Sequence, residues 1–426
     1  MTTIKNSLSK NRYLLFLFLA VFFALPFERI PTLEVFGFTL KIIYVVGPIF
    51  LLLILFSGGG KIFNKKELLT SDWALILFWL LSMISLFWTF DFTRGSIIFL
   101  LWTFVFLSYL IFSKILTDQS IRQKVEDVII IATILVCIFG LYQFIGDSLG
   151  LAIKWTGLRE AYTKSILGFP RIQSVALEPL YFANFLLVPF FLCAKRYIIS
   201  QKLFNPYWLI LVLVLTNIIL TISRGAYLAF GLSFFALIAY LFVSKYTLKS
   251  IGILAGLIVS IILSLGLIFL FNGKSAKQNF IEHAVVENVE ADGSSYDRIQ
   301  TYKKSIDLFK VNPILGSGLG SFGVLATPQK VISLKGYQTV NNEYLELLSE
   351  TGLLGLTLFF LFLLFNLSEA ITSYRGKNRE QRMALAALIL GCLAIFIQYN
   401  FFSTLYILYV WVFLSLLKGE IGLEKN

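Results

Sequence analysis

Three arginines, Arg171, Arg224 and Arg298, stand out in a chain of 426 residues of which only 14% are charged. A guanidinium keeps its charge and grips phosphate oxygens through a planar fork of N–H groups. Carboxylates that could take a proton from a hydroxyl also recur: Glu178 follows Arg171, Asp297 adjoins Arg298, and Glu343 comes later. An anionic, lipid-linked ligand would fit such a set. Metal chemistry has little support. His283 is the only histidine, and Cys137, Cys193 and Cys392 lie inside apolar runs without ligand spacing, so no metal and no cofactor is expected.

The segments that must position these groups are almost wholly apolar. The chain is 58% hydrophobic, against a charged fraction of roughly a quarter in soluble proteins. Runs of about 16–24 apolar residues recur, each close to what a hydrocarbon core of roughly 30 Å requires. They predict an all-α, polytopic integral membrane protein of about twelve transmembrane helices. These lie near residues 12–27, 38–56, 73–90, 96–113, 127–145, 177–194, 206–223, 225–243, 248–271, 351–374, 383–400 and 402–417. The first run, Tyr13–Leu25, lacks a small-x-small cleavage site and is read as a retained helix rather than a signal peptide.

Basic residues orient the chain. Twenty of the 36 lysines and arginines fall in the termini and alternate loops, among them Lys5, Lys10, Lys61, Lys65, Lys66 and Lys425. The short opposite loops hold only Arg29, Lys41, Arg94 and Arg224. Both termini are therefore expected in the cytoplasm, with one long extracytoplasmic loop between the ninth and tenth helices. The organisation reads as helices one to nine over 1–271, the loop over 272–350, and helices ten to twelve with a cytoplasmic tail over 351–426. The net charge of +12 follows from this bias and from a basic outer surface; nucleic acid is not an expected partner. No internal repeat is visible, which argues against transporters built from repeated halves.

Within the long loop, Ser294 and Ser295 offer helix caps. An amphipathic pattern from Asp297, with Ile299, Tyr302, Ile306 and Phe309 on one face, predicts a helix lying at the outer membrane surface. Asn312-Pro313 ends it. The glycines of PILGSGLGSFG, including Gly316 and Gly318, allow either a tight turn or a cradle of N–H groups for an anion. In NNEYLELLSETGLLG, a helix puts Glu343, Glu346 and Glu350 on one face, facing the loop or an aqueous cavity. Glu178, just before Pro179, reads either as a helix cap or as a carboxylate at an outer cavity. Arg224, at the outer end of a short helix, either snorkels to headgroups or holds an anion.

The order and spacing of four motifs carry a resemblance. They are Arg171-x-x-Ser174-x-x-x-Glu178-Pro179; Ser223-Arg224-Gly225; Arg298-x-x-x-Tyr302 running into Asn312-Pro313-x-x-Gly316-x-Gly318; and Asn342-x-Tyr344-Leu345 leading to Glu350-x-Gly352-Leu353-x-Gly355. Together they make the chain, over roughly 165–370, resemble the O-antigen ligase and O-antigen polymerase family of bacterial envelope glycan assembly. The resemblance implies a metal-independent membrane glycosyltransferase acting at the outer face of the cytoplasmic membrane. It would use a donor and an acceptor glycan carried on polyprenyl pyrophosphate, within membrane lipid and alongside a flippase and a chain-length regulator. Arg224 and Arg298 would hold the pyrophosphate; Arg171, Asp297, Tyr302, Gly316, Gly318, Asn341, Asn342 and Tyr344 would line the substrate site. Ligases of the family carry a histidine just before the residue matching Asn342, and here that position is Asn341. An amide is no general base. A polymerase of O-antigen, capsular or exopolysaccharide repeat units is therefore favoured over a ligase, and either over a flippase. The base falls among Glu178, Glu343 and Asp297; His283 is too distant from the motif.

Overall fold

The computed structural model describes residues 11–29, 33–35, 38–56, 68–200, 202–284, 293–327 and 338–422. The expectations resting on Lys5, Lys10, Lys61, Lys65, Lys66 and Lys425, and on the side chains of His283, Ser294 and Ser295, lie outside the described residues.

An apolar helix stands at each of the twelve expected positions. They are α1 (Arg12–Phe23), α2 (Ile43–Phe56), α3 (Thr70–Ile84), α4 (Phe92–Ile115), α5 (Gln119–Ser148), α8 (Pro179–Ile199), α9 (Pro206–Leu220), α10 (Arg224–Val243), α11 (Thr247–Ala284), α14 (Glu343–Tyr374), α15 (Arg379–Gln398) and α16 (Leu408–Ile421). Between them lie the short helices α6 (Ile153–Thr156) and α7 (Lys164–Leu167), then α12 (Gly293–Val311) and α13 (Ser321–Ala326). Among the described residues, eight helices are long and apolar enough to cross a membrane; α1, α2 and α9 are apolar but shorter. The fold is thus helical and polytopic, as the apolar runs require. One local departure is a two-stranded antiparallel hairpin, β1 (Leu33–Val35) with β2 (Phe38–Leu40). Its pairing delays the start of α2 to Ile43.

α8 is the central helix. In its membrane-length window 89% of residues are buried, against 28% for α11 at the periphery. α8 packs on α9 and α15, α16 on α4, and α14 on α3. At one end of the bundle several buried charges are paired: Lys195 with Glu126 at 2.6 Å, Arg122 with Glu420 at 3.0 Å, and Lys418 with Glu369 and Asp72. Burying a charge without its partner would be costly, so these bridges tie the ends of five helices together. The opposite end carries the starts of α4, α8, α10 and α14 and the ends of α5 and α9. There the charges are differently arranged.

Candidate functional site

α9 stops at Leu220 and α10 starts at Arg224, so the TISRG stretch is a three-residue break between antiparallel helices. Ile222 lies at φ 50°, a left-handed conformation that a β-branched residue rarely adopts. The break is stitched to the segment before α8: Ile172 N–H donates to Leu220 O (3.2 Å), and Arg171 Nε donates to Thr221 O (3.2 Å). These bonds bring Arg171 beside Arg224. The two like charges act on each other, and burial together with Arg224 holds the Arg171 pKa below its ordinary value, burial contributing most.

Arg224 opens α10, where the helix dipole is already positive. Ser223 precedes it without a side-chain capping bond. A cation and a helix N-terminus repel each other unless an anion lies between them, so both favour an anionic guest. Gly225 explains the rest of the motif. A Cβ there would come within 2.7 Å of the Phe401 ring, so glycine lets Phe401 pack on the first turn.

Ser174 is held as firmly. It sits at φ 50°. Gln143 of α5 accepts from its N–H (2.7 Å) and donates to its carbonyl (3.0 Å), and its hydroxyl donates to Val136 O (2.7 Å). Strain of this kind survives only where the surroundings over-determine it. The clamp sets the course of the chain between Arg171 and Glu178.

Glu178 is the N-cap residue of α8, yet its side chain makes no capping hydrogen bond. The carboxylate stands half-buried at the mouth of the central helix. Burial pushes its pKa above the ordinary carboxylate range, while Arg159, Arg171 and Arg298 pull it back and Glu28 adds to the rise. One carboxylate thus feels three guanidiniums from two distant parts of the chain. Around it, Arg171 lies 5.8 Å over the Tyr162 ring, and Tyr227, whose hydroxyl donates to Ile219 O, also acts on Arg171.

Tyr302 joins α12 to the bundle. Its hydroxyl bridges Asn341 O (3.2 Å) and Asn400 O (2.9 Å), and Arg298 acts on it from one turn away. α12 is helical as expected but buries a different face. Thr301 and Ser305 are buried, donating to Val340 O and Leu345 O, whereas Ile299 and Ile306 stay exposed. Hydrogen bonds to the chain entering α14 set this rotation together with a small apolar cluster of Phe322, Ala326 and Val340, on which Tyr302 and Leu308 pack. Asn341 is at φ 58°, a region asparagine tolerates better than most residues.

The remaining expected site residues have partners within the fold. Asn342 caps α14 through Leu345 N–H (3.0 Å) and donates to Asn400 O (3.2 Å). Tyr344 donates to Phe396 O at 2.6 Å. Glu343 is buried and accepts from Thr404 N–H at 2.5 Å. Asp297 is exposed and lines a cavity with Gln300, Lys304 and Asn341.

Gly316 and Gly318 form no cradle. The N–H groups of 316–318 donate to Asn312 O, Ser349 O and Glu350 O, and those of Gly320 and Phe322 to the Glu350 carboxylate at 2.9 and 3.0 Å. None of the N–H groups from Gly316 to Phe322 is left for an anion. The glycines serve close packing instead: a Cβ on Gly318 would lie 2.6 Å from Thr89 Cα, at φ 92°. Gly318→Ala is therefore expected to destabilise the protein by about 2 kcal/mol or more. A thermal melt of the detergent-solubilised protein at the wild-type midpoint would refute this packing role.

Arg159, Gln143, Tyr162, Tyr227 and Asn400 were not singled out from sequence. Gln143 alone carried a local signal, as an amide inside an apolar run. The others sit in loops or at helix ends where polar residues are ordinary.

The fold and this site define a polytopic helical membrane protein with a cluster of arginines around one carboxylate at one end of its bundle. Residues 209–360 match the family model for O-antigen ligase. The resemblance to the O-antigen ligase and polymerase family thus holds over a stretch that includes Arg224, Arg298, the glycine run and Asn341; Arg171 and Glu178 precede it. That family implies a membrane glycosyltransferase-like activity of ligase or polymerase type on lipid-linked glycans. A search among curated proteins gave no match.

Proposed function

We propose that the protein polymerises oligosaccharide repeat units carried on polyprenyl pyrophosphate, at the outer face of the cytoplasmic membrane. The observation that carries this reading is Glu178: a carboxylate without a capping bond, within the influence of Arg171 and Arg298. The donor pyrophosphate lies among Arg171, Arg224 and Arg298. Glu178 takes the proton from the acceptor hydroxyl as its oxygen forms the new bond to the anomeric carbon. The bond from that carbon to the pyrophosphate oxygen breaks, and the electron pair leaves with the pyrophosphate. Its growing negative charge meets fixed guanidiniums in a partly water-excluded site, which lowers the barrier. Direct displacement of this kind inverts the anomeric centre.

Glu178 is a better base than Glu343 in this scheme, because Glu343 is buried and accepts from Thr404 N–H. Polymerisation is favoured over ligation because Asn341, whose amide cannot accept the proton, occupies the ligase histidine position. Purified protein given only lipid-linked repeat units is expected to yield a ladder of longer lipid-linked chains. No extension until a different acceptor is added would mean a ligase.

A further inference from the structure

On α12, which also carries Arg298, a concavity opens among polar side chains. It has a volume of about 340 Å³, at the small end of the roughly 300–1,000 Å³ range of ligand sites. Asp297, Gln300 and Lys304 line it from α12, one turn apart and on one stripe; Gln338, Thr339 and Asn341 face them. Among the described residues no apolar side chain lines it, so it does not suit a polyprenyl tail. One carboxylate and one amine balance each other, so it does not suit an anion. A single carboxylate makes no cation site.

What remains is a wall of amides, hydroxyls and one ion of each sign, rich in both donors and acceptors. Several are available to a guest. The Asp297 and Gln300 side chains make no hydrogen bond among the described residues, and the Asn341 side chain has only long contacts to Thr339, at 3.4 and 3.5 Å. Lys304 is positioned by Ala326 O (3.0 Å) and Gln338 Oε1 (3.1 Å), which leaves a third ammonium hydrogen.

The cavity is joined to the proposed reaction centre through one residue. The Asn341 side chain lines it, while the Asn341 carbonyl accepts from Tyr302, a turn along α12 from Arg298. A glycan whose first sugar sits on a pyrophosphate held near Arg298 would lay its next sugars here.

We propose that this cavity is a glycan subsite that takes one or two neutral, hydroxyl-rich sugar residues beyond the pyrophosphate-linked one and so selects the repeat unit. The proposal rests on the function given above. Its test uses the full-length protein in lipid nanodiscs with two donors, polyprenyl pyrophosphate bearing the whole repeat unit and the same lipid bearing its first sugar alone.

Gln300→Ala and Gln338→Ala are each expected to raise KM for the whole unit about tenfold, the loss of a hydrogen bond or so. The change in kcat should stay under twofold, and the KM effect should shrink to under twofold on the truncated donor. Equal effects on both donors, or a wild-type KM in both variants, would overturn the subsite. Binding is read separately by saturation-transfer NMR with the repeat-unit oligosaccharide freed from its lipid. Transfer to its sugar protons is expected in wild type and in Arg224→Ala, and to be lost in Gln300→Ala. Should no glycan extension occur at all, this pattern still supports the subsite and removes only the polymerase reading. No transfer in wild type, or equal transfer in Gln300→Ala, removes the subsite.

Discussion

Arg224→Ala is expected to lower kcat for chain extension by about 10²–10³-fold, the loss seen when one preorganised donor to a developing negative charge is removed. The effect should fall on kcat more than on KM. A pyrophosphate is anionic when bound, but its charge grows as the glycosidic bond breaks, and interactions that strengthen on the way to the transition state act on kcat. Arg224 also opens α10, and alanine there removes a cation from the positive end of a helix. An unchanged melting midpoint in that variant would separate lost chemistry from lost structure. Arg224→Lys should recover only part of the rate, because an ammonium keeps the charge but loses the bidentate fork. Wild-type extension by Arg224→Ala would sink the mechanism.

Glu178→Gln should cost about 10²–10⁴-fold, the range of a positioned general base. The pH profile gives the sharper reading. A base works only when deprotonated, and burial holds the Glu178 pKa above its ordinary 4.5. In wild type, kcat/KM should therefore climb with pH through a value above 4.5 and then level off. Bound donor brings more negative charge beside the carboxylate and favours its neutral form, so the limb in kcat should lie at higher pH than the limb in kcat/KM. Glu178→Gln should lose both limbs, leaving a low rate flat with pH in the acid range. An unaltered acid limb in that variant would remove Glu178 as the base. Because Glu178 and Arg171 influence each other, their substitutions should not be additive.

How the site could be read in advance differed from residue to residue. Arg224 was legible because a guanidinium in an apolar stretch has few structural uses. Gly316 and Gly318 marked places where backbone comes close, but sequence left open whether a ligand or the protein itself makes that approach. Glu350 resolved it by accepting from Gly320 and Phe322. Glu343 and Glu178 were both candidates as carboxylates at helix starts, beside Asp297. The partner of the first is Thr404, 61 residues away, whereas the second makes no capping bond at all.

Sequence by itself determined the helical, membrane-embedded class, the twelve apolar segments and the presence of phosphate-binding and proton-accepting residue types. Those properties are sums over about twenty neighbouring residues, and transfer of a segment into hydrocarbon depends on little else. The tertiary structure alone decided which carboxylate stands among arginines and which is engaged by backbone, why Ser174 and Ile222 hold strained conformations, and that the glycine run packs rather than binds. Each of these turns on a hydrogen bond or a close approach between segments far apart in the chain, and local pattern carries no record of what will come to lie opposite.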